Sequence, residues 1–514
     1  MTGHLTAFAA DQQQQFDAIT SEEERKVRGH FGTPPEIANF MAGMFAEVQR
    51  SEYRVLDAGA GVGTLAAAIC ERFVHQAKPS SVDFDLWDSD PSLEPFLRRT
   101  MEHCRQALLN LGHAVKYTIR TDDFILSNGE ATLFNGAPTP SFHLAILNPP
   151  YYKLRKDSPQ AQAMPYVVHG QPNIYALFMA ATADLLLPQG QMVAITPRSY
   201  FNGPYFKRFR RWFFDRMVAR QIHVFESRTE AFRDDGVLQE NVILLAEKGG
   251  KPRDVALTSS IGRLFPNASK SMVPYNRVID NSSGDHLVRV ATNDLEQAIV
   301  ATVDNLPQRF RDLALNISTG PVVTFRSTEF LRADQSYDTA PLLWMHNVRP
   351  FVTQFLQKNG KPTHILVNDE SKRLLVPAKR YVLLKRFTSK EEKKRLVAGI
   401  VEAKDSYSSW LGLENHLNYV YRSGKEMSRA EAFGLAAYFN SELVDRYFRA
   451  ISGNTQVNAS EIRAMPVPDE LALARIGSAV ESAVSRDRLT IENIVGSALN
   501  VPSCLIAQLN GAAK

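Results

Sequence analysis

Arg54-Val55-Leu56-Asp57-Ala58-Gly59-Ala60-Gly61-Val62-Gly63-Thr64 reads as a buried strand running into a glycine-rich turn and then a helix. Glycines at these places allow positive φ and let a ligand approach the backbone closely. A dinucleotide-binding loop would show Gly-x-Gly-x-x-Gly. Here the order is Asp-x-Gly-x-Gly-x-Gly, with a carboxylate ahead of the first glycine. That carboxylate suits an amine-bearing or cationic ligand better than a pyrophosphate. S-adenosylmethionine has both an α-amine and a sulfonium. A βα turn without a ligand is the plain alternative.

Further along, the apolar run Leu144-Ala145-Ile146-Leu147 reads as a second buried strand and ends in Asn148-Pro149-Pro150-Tyr151. The two prolines fix φ and remove two backbone donors, so this loop is stiff and offers mainly acceptors. The Asn148 side-chain oxygen and the Pro149 carbonyl can both face one exocyclic amine. Such an amine is a poor nucleophile while its lone pair is conjugated to a ring. Two acceptors on its hydrogens pull the nitrogen toward tetrahedral geometry. Tyr151 offers a flat face to a planar ring. A proline-rich turn with no chemistry is the alternative reading.

These two motifs, in this order, resemble those of amino-methyltransferases. Gly32-Thr33-Pro34-Pro35-Glu36-Ile37-Ala38-Asn39-Phe40-Met41, which precedes the glycine loop, is similar to the N-terminal cofactor motif of gamma-class N6-adenine DNA methyltransferases, the modification enzymes of type II restriction systems. The motif resemblance covers about the first half of the chain. It implies that S-adenosylmethionine is held by Thr33, Asp57, Gly59, Gly61, Asp88, Asp123 and Phe124. Asp88 matches the acidic residue that holds the ribose, with Asp90 as a nearby competitor. Asp123 and Phe124 match a pair that holds the cofactor adenine. Asn148, Pro149, Pro150 and Tyr151 match the catalytic motif. Phe232 matches an aromatic residue that packs the flipped base opposite the catalytic tyrosine.

The remaining pattern is that of an α/β chain. Thr33 reads as a helix cap with Pro34 in the first turn. Val82–Trp87, Val115–Ile119, Gln191–Thr196, Ile222–Phe225 and Val242–Leu245 read as strands, alternating in large part with helices. That alternation predicts a parallel sheet covered on both faces. Residues before about Ser21 read as a frayed or helical extension.

A chain of 514 residues is too long for one core. A composition shift near Lys248-Gly249-Gly250-Lys251-Pro252 sets a boundary. Residues 1–249 are expected to form a Rossmann-like S-adenosylmethionine-dependent methyltransferase domain, and 250–514 an α+β target-recognition domain. In the second half, Leu343–Arg349 and Tyr381–Phe387 read as strands, and Leu443–Phe448 as an amphipathic helix. The run Lys390–Arg395 reads as a solvated helix face. The segment from Ser452 to Arg463 resembles the closing piece of target-recognition domains, which nominates Gln456, Asn458 and Arg463 as DNA contacts. A structural turn and cap is the alternative.

The net charge of +4 permits a nucleic-acid partner without demanding one. Cys70, Cys104 and Cys504 are odd in number and lack metal spacing, as expected of reduced thiols in a cytoplasmic protein. No apolar run approaches the length of a membrane span. The resemblance therefore implies a bacterial or archaeal cytoplasmic enzyme that flips an adenine from duplex DNA and methylates N6, without a metal, alongside a separate cognate restriction endonuclease. N4-cytosine methylation, methylation of RNA or a protein amide, and a non-catalytic DNA-specificity subunit are the rival readings.

Overall fold

In the computed structural model of the chain, the described residues are 4–511 except 22, 24–31, 47–49, 75, 77, 79, 130–138, 226–239, 264, 266–267, 282–283, 356–359, 389–391 and 453–455. They form two compact units, 1–292 and 293–514.

The first unit is built on a nine-stranded sheet. Its strands are β1 (Glu52–Ala58), β2 (Ser81–Trp87), β3 (Ala114–Arg120), β4 (Phe142–Leu147), β5 (Leu186–Pro197), β6 (Met217–Phe225), β7 (Asn241–Lys248), β8 (Val255–Ser260) and β9 (Ser269–Val273). Their spatial order is β3-β2-β1-β4-β5-β7-β6-β8-β9. Strands β3, β2, β1, β4 and β5 run parallel. From β1 the chain goes to β2 and β3 on one side and then to β4 and β5 on the other, and this switch opens a crevice at the carboxyl end of β1. In register, Asp57 stands opposite Leu86 on one side and Ile146 on the other. The loops after β1, β2, β3 and β4 therefore emerge at one edge, although their motifs are far apart in sequence.

Helices α1 (His4–Ile19), α2 (Pro35–Met44), α3 (Thr64–Val74), α4 (Glu94–Leu109), α5 (Phe124–Asn128), α6 (Pro159–Ala163), α7 (Ile174–Leu185) and α8 (Lys207–Phe214) belong to this unit. One face of the sheet sends Val55, Ile146, Val193 and Ile243 into a core with Ile37, Met41 and Leu65. The other sends Leu56, Ala145, Ala194 and Leu244 against Tyr175, Phe209 and Phe213. This two-sided burial accounts for the apolar strands.

Several expectations are corrected. β7 runs antiparallel between β5 and β6, so the sheet is not wholly parallel. The division falls at 292/293 rather than 249/250, because β8 pairs with β6 and β9 pairs with β8, keeping this segment in the first sheet. The N-terminal segment is part of the domain. Leu5 and Ala9 of α1 join the α2–α3 core, and Phe16 packs with Val62, Leu93 and Phe96. Within α1, Gln12 is buried and accepts a hydrogen bond from Arg99 Nε at 2.6 Å. Cys70 and Cys104, remote in sequence, are buried together, and the Cys104 thiol and burial raise the Cys70 pKa.

The second unit is α+β. A four-stranded antiparallel sheet orders Leu315–Thr319, Leu417–Arg422, Tyr381–Lys385 and Ala398–Val401. A five-stranded sheet contains Thr339–Leu343 and Trp410–Leu413. Helices Arg429–Asn440, Glu442–Ile451, Glu470–Ser482, Arg488–Ala498 and Ser503–Gly511 form the helical layer. Two of them touch backbone to backbone: a Cβ at Gly434 would lie 2.0 Å from the Leu473 carbonyl, and one at Gly477 would lie 1.8 Å from the Ala430 carbonyl. The expected strand Leu343–Arg349 is broken by a 3-10 turn at Met345–Asn347, leaving a short strand at Val348–Arg349. The expected helix face at Lys390–Arg395 is absent from its described part. The Asp445 carboxylate takes the Arg395 and Leu396 amides at 2.6 and 2.8 Å, and Arg395 is buried.

Candidate active site

A cleft lies at the carboxyl edge of the parallel strands. It is lined by the glycine turn, by Trp87, Asp88 and Ser89 after β2, by Asp122, Asp123 and Phe124 after β3, and by Asn148, Pro150 and Tyr152 after β4. Gln13 and Phe16 of α1 and Ile174 and Phe178 of α7 complete it. The sheet register thus gathers all three motif loops that follow β1, β3 and β4.

The glycines act through the backbone. Gly59 and Gly61 have φ of 86° and 55°. A Cβ at Gly59 would stand 3.5 Å from the Asn148 carbonyl and 3.8 Å from Pro149 Cα. The glycine turn and the proline loop are therefore in contact. A Cβ at Gly61 would meet nothing within 4 Å, so the turn leaves open space over its second glycine.

The carboxylates play different parts. Asp57 is fully buried at the end of β1, and among the described residues neither of its oxygens has a hydrogen-bond partner of good geometry, the Ala66 amide being a weak neighbour. Burial first, then the charge of Asp88, push its pKa up to about 8, against a smaller pull from the Ala66 amide. A buried acceptor without a donor is costly and calls for a ligand or other purpose. Asp88 ties the edge together by accepting from the Gly61 amide at 2.9 Å and the Asp90 amide at 3.0 Å. Asp90 is buried, accepts from the Ser92 amide and hydroxyl, and does not line the cleft. Asp123 caps α5 through the Leu126 amide and takes a hydrogen bond from Gln160 Nε2 at 2.8 Å. Phe124 is held by Trp87 and Phe178, with ring centroids 5.5 and 5.2 Å away.

The Asn148 amide is braced at both ends. Its Nδ2 donates to Thr33 Oγ1 at 3.0 Å, and its Oδ1 accepts from the Tyr151 hydroxyl. The same hydroxyl lies 3.1 Å from the Ile195 carbonyl, so one proton is within reach of two acceptors. Burial raises the Tyr151 pKa, keeping it a donor at neutral pH. Its ring meets Tyr175 edge to face at 6.3 Å. Thr33 is not the cap of α2. Pro34 occupies that place, and the threonine hydroxyl is turned to Asn148 instead.

Sequence reasoning missed Trp87, Tyr152, Gln13 and Phe16 as cleft residues. Trp87 and Tyr152 each adjoin a nominated residue, a usable signal. No local signal marks Gln13 or Phe16, which reach the cleft through the packing of α1. Phe232 lies outside the described residues. In the second unit, Asn458 caps the helix Ala459–Ala464 in a reciprocal pair with Glu461. Arg463 Nη2 donates to the Ile317 carbonyl at 2.7 Å. Gln456 forms an isolated bridge with Phe387. Among the described residues, no group of three or more His, Cys, Asp or Glu is placed to hold a metal ion, and no helix is long and apolar enough to cross a membrane.

Comparison with known proteins agrees with this arrangement. Residues 103–232 match the family model described as Eco57I restriction-modification methylase. The chain is 35% identical over 455 residues to the type II methyltransferase M.BsuBI of Bacillus subtilis, covering 87% of this chain and 89% of that protein. It is 33% identical over 488 residues to the type II methyltransferase M.PstI of Providencia stuartii, covering 94% and 95%. The structure of the Type IIL restriction-modification enzyme MmeI in complex with DNA shares the fold with a TM-score of 0.54 at 11% identity, covering 98% of this chain and 76% of that one.

Proposed function

This chain belongs to the type II methyltransferases of restriction–modification systems, and on that premise we propose that Asn148 and the Pro149 carbonyl hold N6 of an adenine for methylation. The enzyme is a site-specific DNA methyltransferase, and its methyl donor is S-adenosylmethionine. The observation that carries the adenine reading is the amide of Asn148, braced at the edge of a cleft and touching the glycine turn.

The residues of the cleft fit the donor. Asp57, buried at the end of β1 and outside the cleft lining, offers its carboxylate to the α-amine, and Asp88, which lines the cleft, faces the ribose hydroxyls. Gly59 and Gly61 leave the backbone approachable. Asp123 and Phe124 border the adenine end, with Asp122 beside them. When bound, the donor supplies an electrophilic methyl group on its sulfonium.

The chain's own residues orient the nucleophile. Asn148 Oδ1 and the Pro149 carbonyl accept the two N6 hydrogens and weaken conjugation of the lone pair with the ring. The Tyr151 proton has a second acceptor in the Ile195 carbonyl, so it can swing there as the amine takes Oδ1. The tyrosine ring stays anchored and offers its face to the base. Thr33 Oγ1 accepts Nδ2–H and keeps the oxygen end of the amide toward the base. In this reading Thr33 positions Asn148. Preorganised acceptors and orientation carry the catalysis.

We further propose a separate cognate endonuclease as functional partner and the cytoplasm of a bacterial or archaeal cell as the location, the reading that a genomic DNA substrate favours. The test is mass spectrometry of nucleosides from DNA incubated with the purified chain and tritiated donor. N6-methyladenine is the expected product. Label in N4-methylcytosine, or in RNA or protein but not DNA, overturns the adenine reading.

A further inference from the structure

In the second unit, three cationic side chains and one histidine stand apart from the ion-pair network, and Arg349 Nη1 donates to the Val348 carbonyl at 3.3 Å. His346, Arg349, Lys361 and Lys385 have no carboxylate within ion-pair distance among the described residues. Several positive side chains elsewhere in the unit are paired with carboxylates. Arg422 meets Glu431 and Glu470, Arg429 meets Glu402 and Glu481, Arg446 meets Glu442, and Arg449 meets Asp445.

Geometry brings the four together. Val348–Arg349 pairs antiparallel with Val352–Thr353. This hairpin lies directly on the strand Ala398–Val401, since a Cβ at Gly399 would stand 2.9 Å from the Arg349 carbonyl. The neighbouring strand ends at Lys385, whose amide bonds the Val397 carbonyl at 3.2 Å. His346 stacks near Trp344, with centroids 6.3 Å apart and planes at 20°. Lys361 Nζ stands 4.5 Å over the same indole. Arg349 and Lys361 are exposed, and His346 and Lys385 are half-buried.

The groups feel one another. Partial burial first, and then Lys361, Arg349 and Lys385, lower the His346 pKa. Partial burial, then Arg349, lower that of Lys385, with Glu392 pulling the other way. Collecting like charges without counter-charges opposes folding, and a ligand that neutralises them gains what the fold forgoes. The charges sit on a hairpin, a strand end and a loop. This spread suits a chain of phosphates better than one small anion, and flat aromatic support keeps Lys361 extended.

We propose that Arg349, Lys361 and Lys385, with His346 beside them, form the phosphate-contacting surface of the second unit on duplex DNA. The inference rests on the methyltransferase reading and assigns a place for DNA contact apart from Asn458 and Arg463.

The test uses the full chain and a short mixed-sequence DNA duplex, followed by fluorescence anisotropy over a salt series. Arg349→Ala, Lys361→Ala and Lys385→Ala, singly and together, should each weaken binding regardless of sequence and lower the salt slope by about one unit per residue. Affinity for S-adenosylmethionine should not change. Arg105→Ala in the first unit serves as a charge control and should leave the slope alone. A parental slope in the triple variant overturns the proposal. So does a loss confined to one sequence with the slope unchanged, which is the mark of base reading. Because Lys385 is half-buried, the two exposed single variants, checked by thermal melting, decide the matter if the triple variant fails to fold. If the parent itself shows no salt-dependent binding to duplex DNA, the methyltransferase reading fails before this inference is reached.

Discussion

Asp57 and Asn458 are both polar residues near the start of a helix, and the molecule treats them oppositely. Asp57 ends a buried strand, and among the described residues its two oxygens have no hydrogen-bond partner of good geometry. Asn458 is committed through side chain and amide to Glu461, and Arg463 nearby to the Ile317 carbonyl. The first unit leaves the Asp57 carboxylate unspent at its edge, whereas the second engages Asn458, and one donor of the exposed Arg463, within itself. A polar residue near a turn is therefore weak evidence of function until its partners are known.

The largest effect that would break this contrast concerns Asn148. Asn148→Ala should lower turnover by about 10²–10³, the scale for loss of one preorganised hydrogen-bonding group. Binding of cofactor and DNA should persist. Near-parental turnover in a tritiated-methyl assay would remove Asn148 from the chemistry.

Thr33 sharpens the same edge. Thr33→Val leaves Nδ2 of Asn148 without its acceptor and should lower kcat about tenfold, from a loss within the range of about 1–3 kcal/mol for an unpaired buried group. Thr33→Ser should restore it, and calorimetry should show an unaltered affinity for S-adenosylmethionine. The reverse pattern, weak cofactor binding with normal kcat, would return Thr33 to a cofactor role.

Asp57 links the edge to pH. Its folded pKa, raised from 3.8 to about 8, means that the cofactor-free fold holds a proton which the unfolded chain has released. Stability is therefore greatest below the unfolded value and falls as pH rises through that window toward about 8. Asp57→Asn should flatten this slope in thermal melts. A cationic amine beside the carboxylate favours its charged form, so cofactor affinity should rise with pH in the parent by at most about tenfold per unit. A parental pH slope in the variant would show that another group governs it.

Asn458 gives the smallest effect. Asn458→Ala should cost about 1 kcal/mol of stability through the lost helix cap. DNA affinity and salt slope should stay parental. A lowered salt slope with normal stability would restore Asn458 as a contact.

What was legible in advance follows from these cases. Gly59, Gly61, Pro149 and Pro150 act through the backbone, where residue type alone restricts φ and removes donors. Their loops could be read from the chain, as could the strands that end in them. Asp88 was preferred to Asp90 from the sequence; Asp88 lines the cleft, whereas Asp90 is bound to Ser92 and does not. The place of α1 was hidden because Leu5, Ala9 and Phe16 make a sparse apolar stripe, and only contact with α3 and α4 gives it meaning. The reversal of β7 was hidden because strand pattern does not encode strand direction.

By itself, the sequence determined the chemistry of the edge: an acidic glycine turn, a stiff acceptor loop and apolar strands to bury beneath them. These are local properties, set by the conformational limits of glycine and proline and by apolar burial. Tertiary structure alone decided which polar groups remain available. It turned Thr33 from a helix cap into a brace for Asn148, tied Asn458 to Glu461, and left Arg349, Lys361 and Lys385 without an ion-paired carboxylate among the described residues. Hydrogen bonds and ion pairs join residues remote in sequence, so their partners exist only once the chain has folded.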